Sequence, residues 1–297
     1  MNWFKANKRG LRFSLNQLYR AVGISKQAVY QYERRQAIFD RQLLQLVAEA
    51  DDLREDHPGC GVEKMYQILE PSFIGRDRFI GTMMDLGYRI RKVKNYKRTT
   101  VAGKVVYPNL IKGLEITAPN TVWQSDLTYL PVNNKHYYAV FIIDVYNKKI
   151  VGYEVSDNMR ALANVKALKM ALQHNKAPTI HHSDRGSQYT YHQYIDLLKI
   201  NNTKISMSLS GLDNAYAERI NRTIKEEYLS YWKPKNFNEL KRCVKKAVNN
   251  YNQIRVHKNL PKMSPNNFEK YWATLKLEDR PKFTIFNYES LTKNGQH

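Results

Sequence analysis

The chain has 297 residues, 42% of them hydrophobic and 12% aromatic, which allows a real core and about two to three domains. Lys and Arg outnumber Asp and Glu by 48 to 27, for a formal charge of +21; such an excess marks a polyanionic partner. No apolar run reaches the ~18–20 residues that span a bilayer and the N-terminus lacks a signal-type apolar segment, so nucleic acid is expected rather than a membrane. The two cysteines, Cys60 and Cys243, are too far apart in sequence to suggest a disulfide framework or a Cys-based zinc site.

Residues 1–38 read as a helix–turn–helix unit. Leu15, Leu18 and Val22 are spaced for one helix face, Gly23 breaks that helix, and Ser25 caps a second one carrying Ala28, Val29 and Tyr32. A second helix in this position can enter a major groove, with Lys26, Gln27, Tyr30 and Gln31 as candidate DNA contacts. Tyr19 fits this grammar poorly, because a small residue usually eases the helix crossing.

Residues 39–87 read as a second unit of the same kind. Helices are expected over 43–53, 62–69 and 75–86, with His57-Pro58-Gly59 ending the first and Gly87 the last. Arg76 and Arg78 open its final helix as candidate DNA contacts. Residues 88–117 read as a basic linker. Arg89, Arg91, Lys92, Lys94, Lys97 and Arg98 are interleaved there with Tyr88, Ile90, Val93 and Tyr96, a composition suited to tracking phosphates.

From about residue 121 the pattern changes to strands. Strands are expected over 121–131, 137–144, 149–156, 179–183 and 204–208, and helices over 160–173, 191–200 and 214–229. Asp213 is expected to cap the last helix. This order predicts an α/β domain, 118–272, with a mixed five-stranded sheet. Residues 273–297 form a tail without a readable motif.

Three acids in this domain stand out: Asp126 in Trp123-Gln124-Ser125-Asp126-Leu127, Asp184 in His181-His182-Ser183-Asp184-Arg185-Gly186, and Glu218 in Ala215-Tyr216-Ala217-Glu218. Hard divalent cations take oxygen ligands, and two such ions can clamp the attacking and leaving oxygens of a phosphoryl transfer. If the strands of Asp126 and Asp184 are neighbours, the two carboxylates meet. Glu218, Asn221, Arg222 and Lys225 are spaced to share one helix face, which together with Arg185 would present cations to DNA. Singly, each acid has an ordinary role available: strand end, turn former or helix ion pair. Asp144 competes as a strand-end acid, and Asp196 fits an exposed helix.

Several stretches carry a resemblance: Val122-Trp123 with Asp126-Leu127-Thr128, His182-Ser183-Asp184-Arg185-Gly186-Ser187-Gln188-Tyr189, Asp213-Asn214-Ala215 with Ala217-Glu218, Lys225-Glu226-Glu227, and Tyr251-Asn252 with Arg255 and His257. The chain resembles the DDE transposases of bacterial insertion sequences, specifically the larger-frame product of the insertion-sequence-three family, whose core is like retroviral integrase. The resemblance implies an RNase H-like core and a catalytic, metal-binding triad of Asp126, Asp184 and Glu218. It also implies two Mg²⁺ ions, replaceable by Mn²⁺, and cleavage and strand transfer at the ends of an element. The implied partners are double-stranded DNA (terminal inverted repeats and target), further copies of the chain on that DNA, and a smaller upstream-frame product; the implied location is the bacterial cytoplasm, at the nucleoid. The interval between the second and third acids is slightly shorter than the family's, and the shortfall falls in residues 208–212, where a loop deletion is tolerable. Two other functions remain open to such a chain: a structure-directed nuclease, or a DNA-binding regulator with an inactive core.

Overall fold

Alternation within one strand decides how the core is built. Successive side chains of a strand face opposite ways, so the apolar run Ala139-Val140-Phe141-Ile142-Ile143 serves two faces of a sheet at once. The structure, a computed structural model, describes residues 14–90, 107–209 and 211–285. Its strands are β1 (Glu115–Ile116), β2 (Val122–Val132), β3 (Lys135–Asp144), β4 (Ile150–Ser156), β5 (Ile180–Ser183), β6 (Lys204–Met207) and β7 (Phe283–Thr284). Five of them form one sheet in the order β4-β3-β2-β5-β6. β2 is antiparallel to β3 and parallel to β5, and β5 is parallel to β6.

On one face, Phe141 and Ile143 of β3 pack with Ala217, Ile220, Ile224, Val244 and Ala247. These come from α7 (Ala215–Thr223), its continuation, and α8 (Phe237–Gln253). On the other face, Val140 and Ile142 pack with Ala167 and Leu168 of α5 (Leu162–His174) and with Tyr194 and Leu198 of α6 (His192–Ile200). The expected mixed sheet with helices is therefore present, and the fold is RNase H-like. A last helix, α9 (Pro265–Thr274), brings Phe268 against Tyr146 at one end of the sheet.

The helix expected over 214–229 is not uniform. α7 widens into a π-helical stretch, Ile224–Leu229, before a final turn, Ser230–Trp232. The tail and the linker also hold more order than their sequences imply. β7, at residues assigned to the tail, pairs antiparallel with β1, at residues assigned to the linker.

The N-terminal part is helical. α1 (Leu15–Val22) ends at Gly23, whose φ of 70° is the left-handed cap expected there, and the Ser25 hydroxyl accepts from the Ala28 N–H at 3.0 Å. The next helix departs from expectation. α2 runs unbroken from Lys26 to Asp56, so the boundary expected between residues 38 and 39 falls inside it. Residues 33–42 offer no clean apolar period, yet they contain no Gly or Pro, and good helix formers continue a helix already nucleated on both sides. α3 (Val62–Leu69) and α4 (Arg76–Asp85) follow and bury Val62, Met65, Phe79 and Met83 against Leu46 and Ala50 of α2.

Candidate active site

Parallel pairing aligns the first two acids. Ser125 of β2 stands opposite Ser183 of β5, so Asp126 and Asp184 are the next residues along two adjacent strands running the same way. Tyr189 supports this place from below: its hydroxyl lies 3.0 Å from Ser125 Oγ, fully buried. Beside Asp184, the Gly186 N–H donates to Asp184 Oδ1 at 3.0 Å. A Cβ at residue 186 would itself stand 3.0 Å from that oxygen and 2.7 Å from Gln188 Oε1, so a larger residue there would displace the Gln188 side chain.

Glu218 enters from the first turn of α7. Asp213 does not cap this helix. It lies in the preceding 3-10 turn, where its carboxylate accepts from the Leu209 N–H at 2.9 Å. Asn214 occupies the N-cap position without a side-chain cap, because another residue satisfies the helix donors. Gln124 Oε1 accepts from the N–H groups of Tyr216 and Ala217 at 3.1 and 3.3 Å, and Gln124 Nε2 donates to the Asp213 carbonyl at 3.1 Å. Asn214 Nδ2 donates in turn to the Ser125 carbonyl at 3.0 Å. The strand bearing Asp126 thus holds the start of the helix bearing Glu218. A fully buried Gln in an apolar strand must find partners. That is the sequence signal for this tie, although it does not say which partners.

The three acids share one electrostatic field. Burial pushes the Asp126 carboxyl up to about 8, and the charges of Asp184 and Glu218 add to the rise. Burial raises Asp184 too. Glu218 is raised by burial and by Asp184, against the pull of Arg222. Repulsion of this kind favours a bound cation, and an all-oxygen donor set suits a hard divalent ion. Among the described residues, no three His, Cys, Asp or Glu side chains already stand together as a metal-holding group.

The expected DNA contacts divide into separate groups. Lys26, Gln27, Tyr30 and Gln31 are exposed at the start of α2, and Arg89 is exposed after α4. Arg76 is exposed but paired with Glu63 at 3.0 Å and Asp77 at 2.8 Å, and the Arg78 guanidinium lies 4.2 Å over the Phe39 ring. Arg91, Lys92, Lys94, Lys97 and Arg98 lie outside the described residues. Nearer the acids, Arg222 is exposed. The other three are turned inward. Asn221 is buried and donates to Asp126 Oδ2 at 2.7 Å. Arg185 donates to the carbonyls of Ser208 at 2.8 Å and of Leu209, which fastens the loop before α7. Lys225 is half-buried, with its pKa lowered by burial and raised in part by Asp126. Helical spacing does not reveal that Asn221 finds its polar partner within the chain.

Asp144 has a different role. It is fully buried, and its carboxylate accepts from the backbone N–H groups of Asn120 at 2.5 Å and Tyr146 at 2.8 Å, which shapes the turn after β3. The adjacent histidines belong to the core: His181 Nε2 lies 2.9 Å from the Tyr194 hydroxyl and His182 Nδ1 2.8 Å from Ser206 Oγ, and burial lowers both pKa values, to about 3 and about 4.

Comparison with known proteins agrees with this architecture. Two family profiles, each described as an integrase core domain, match residues 116–211 and 202–265. The uncharacterized 31 kDa protein of insertion element IS600 from Shigella sonnei is 37% identical over 67% of this chain and 76% of its own length. The transposase for insertion sequence element IS904 from Lactococcus lactis is 34% identical over 61% of this chain and 73% of its own. The transposase for IS629 from Shigella sonnei is 32% identical, covering 76% and 79%. Among solved structures, the HTLV-2 integrase catalytic core in complex with magnesium is 18% identical, covers 54% of this chain and 99% of that one, and gives a TM-score of 0.44.

Proposed function

Because the chain belongs to the insertion-sequence-three family of transposases, with an integrase core, we propose that it binds the ends of an insertion element and performs divalent-metal-dependent cleavage and strand transfer there. Asp126, Asp184 and Glu218 are the catalytic, metal-binding residues of this reading. The observation that carries it is geometric: Asp126 and Asp184 directly follow the paired residues Ser125 and Ser183 of adjacent parallel strands, and Glu218 enters from the first turn of the helix that Gln124 ties to the same strand. When bound, two Mg²⁺ ions (or Mn²⁺) would activate the attacking water or 3′-OH and stabilise the leaving oxygen.

The chain's own residues do the remaining work. Asp126 and Asp184 provide fixed carboxylates on neighbouring strands. Glu218, at the exposed edge of the site, completes the set from the helix. Asn221 orients Asp126 through its hydrogen bond. Lys225 and Arg222 supply positive charge for the phosphates beside the scissile bond, so catalysis is mainly positioning and electrostatic stabilisation. The exposed face at the start of α2 and the units around α3 and α4 read the terminal inverted repeats, assisted by the basic linker. Further copies of the chain on DNA, target DNA and a smaller upstream-frame product are the partners of this reading, and its place is the bacterial cytoplasm.

The test is cleavage of DNA carrying the element's own ends, with and without Mg²⁺. Asp184→Asn should abolish cleavage and strand transfer while retaining end binding, because a neutral amide ligates a hard cation poorly and phosphate contacts lie elsewhere. Full Mg²⁺-dependent activity in that variant would remove Asp184 from the site.

A further inference from the structure

The turn between α2 and α3, His57-Pro58-Gly59-Cys60, rests directly on the helix that carries Glu218. The contact falls on the π-helical stretch. There the Gly59 N–H donates to the Glu227 carbonyl at 2.9 Å. The approach is so close that a Cβ on Gly59 would lie 2.4 Å from the Glu227 Cα. Beside it, the Tyr228 hydroxyl lies 2.8 Å from His57 Nδ1, and burial keeps that imidazole neutral, at about 4.

The Glu227 side chain joins three parts of the chain. Arg255, from beyond α8, grips both of its oxygens at 2.7 Å, and Lys64 of α3 reaches them at 3.1 and 3.2 Å. The core also caps the end of α2: Asn250 Nδ2 donates to the Asp56 carbonyl at 2.6 Å, and Lys246 pairs with the Asp56 carboxylate at 2.7 Å. Widened helical turns leave backbone carbonyls off the regular ladder and concentrate at functional places. Here a carbonyl within such a stretch, that of Glu227, accepts from a residue of the N-terminal part. Nothing in the chemistry of the acids requires this arrangement.

We propose that Lys64, Gly59 and Glu227 are positioning residues that fix the register between the second N-terminal helical unit and the acids, so that element DNA held by that unit meets Glu218 and Lys225 in place. The proposal rests on the function proposed above. It treats the unit around α3 and α4 as a rigid extension of the catalytic body rather than a reader on a flexible tether.

The test uses the full chain and two substrates: a long duplex carrying the element end, and a short duplex without it that can occupy only the core. Lys64→Met keeps the stem and removes the bridging charge while leaving the Glu227–Arg255 pair whole; Gly59→Ala forces the turn off the helix. Both should slow cleavage of the long end duplex by about 10-fold or more, since misplacement on the ångström scale costs that much. End affinity and cleavage of the short duplex should be unchanged, and Lys64→Arg should restore the rate. Wild-type cleavage of the end duplex by both variants would overturn the proposal. So would equal losses on both substrates, which would reduce the cluster to support of the fold. Asp184→Asn, silent on both substrates, separates a fault in the register from a fault in the site; cleavage by that variant would overturn the proposed site, whereas the register stands or falls on the two-substrate comparison.

Discussion

Asp126→Asn should make the metal-free protein more stable, and only above acidic pH. In the native chain this carboxyl is held at about 8 against an ordinary 3.8. Above about pH 4 the unfolded chain gives up that proton while the native chain keeps it. The native state then binds more protons, so its stability falls as pH rises, until the native group also ionises near 8. The gap is about four pH units and each is worth about 1.4 kcal/mol, which sets a ceiling of about 6 kcal/mol. Asp126 is only half-buried, and solvent screening lowers the expected penalty to roughly 2–3 kcal/mol at pH 8. Asparagine resembles the protonated acid and still accepts from Asn221, so the variant escapes the penalty. Urea unfolding of both proteins in chelator, from pH 4 to 9, should give no gain at the acidic end and a gain of roughly 2–3 kcal/mol by pH 8. A gain independent of pH, or a less stable variant at pH 8, would refute the electrostatic account of the site. Metal binding should run the other way, releasing a proton from Asp126 and weakening as pH falls.

Gln124→Ala removes three hydrogen bonds that tie β2 to α7 and should cost roughly 2–4 kcal/mol. Hydrogen exchange should locate the loss at the Tyr216 and Ala217 amides; unchanged protection there would dismiss the tie. Affinity for DNA should fall by about 10³–10⁵ between roughly 50 and 200 mM salt if six to ten phosphates are contacted, and a flat response would contradict the charge-based reading. Deletion of residues 1–87 should lower the melting temperature of the remaining core as well as end selection, because it strips Gly59 and Lys64 from Glu227; a core melting like the full chain would show the contact to be energetically idle.

The sheet was legible because its signals are local. Apolar runs such as Val140-Phe141-Ile142-Ile143 mark buried strands, but an acid at the end of such a run is not thereby a site residue: Asp144, which ends this one, shapes a turn. Gly23 and Ser25, equally local signals, announced the first turn. Other features rest on contacts distant in sequence. The continuous helix Lys26–Asp56 was hidden because residues 33–42 carry no apolar period to follow. Capping from across the fold made Asp213 look like the cap and left Gln124 unremarked. Pattern reading counts a helix at one uniform period, so it does not register the widening at Ile224–Leu229. The pairing of β1 with β7 joins two residues from a basic stretch to two from a tail that looked unstructured, and no local sequence pattern predicts such a short pairing.

These distant contacts explain how a repulsive site can be held in a stable domain. Three acids in one field push apart, and a helix fastened at one end only would relieve that strain by swinging Glu218 outward. Here both ends are fastened. The start of α7 hangs from Gln124, two residues before Asp126. Its π-helical continuation is pinned by Gly59, Lys64 and Arg255. The first attachment sets Glu218 against the strand acids. The second sets the same helix against the N-terminal helices. One rigid element therefore answers to both the proposed site of chemistry and the proposed reader of DNA. A polymer whose reactive bond must be chosen by its neighbouring sequence demands such a link, because binding energy gained at the reader lowers the barrier only if the geometry between reader and acids is fixed.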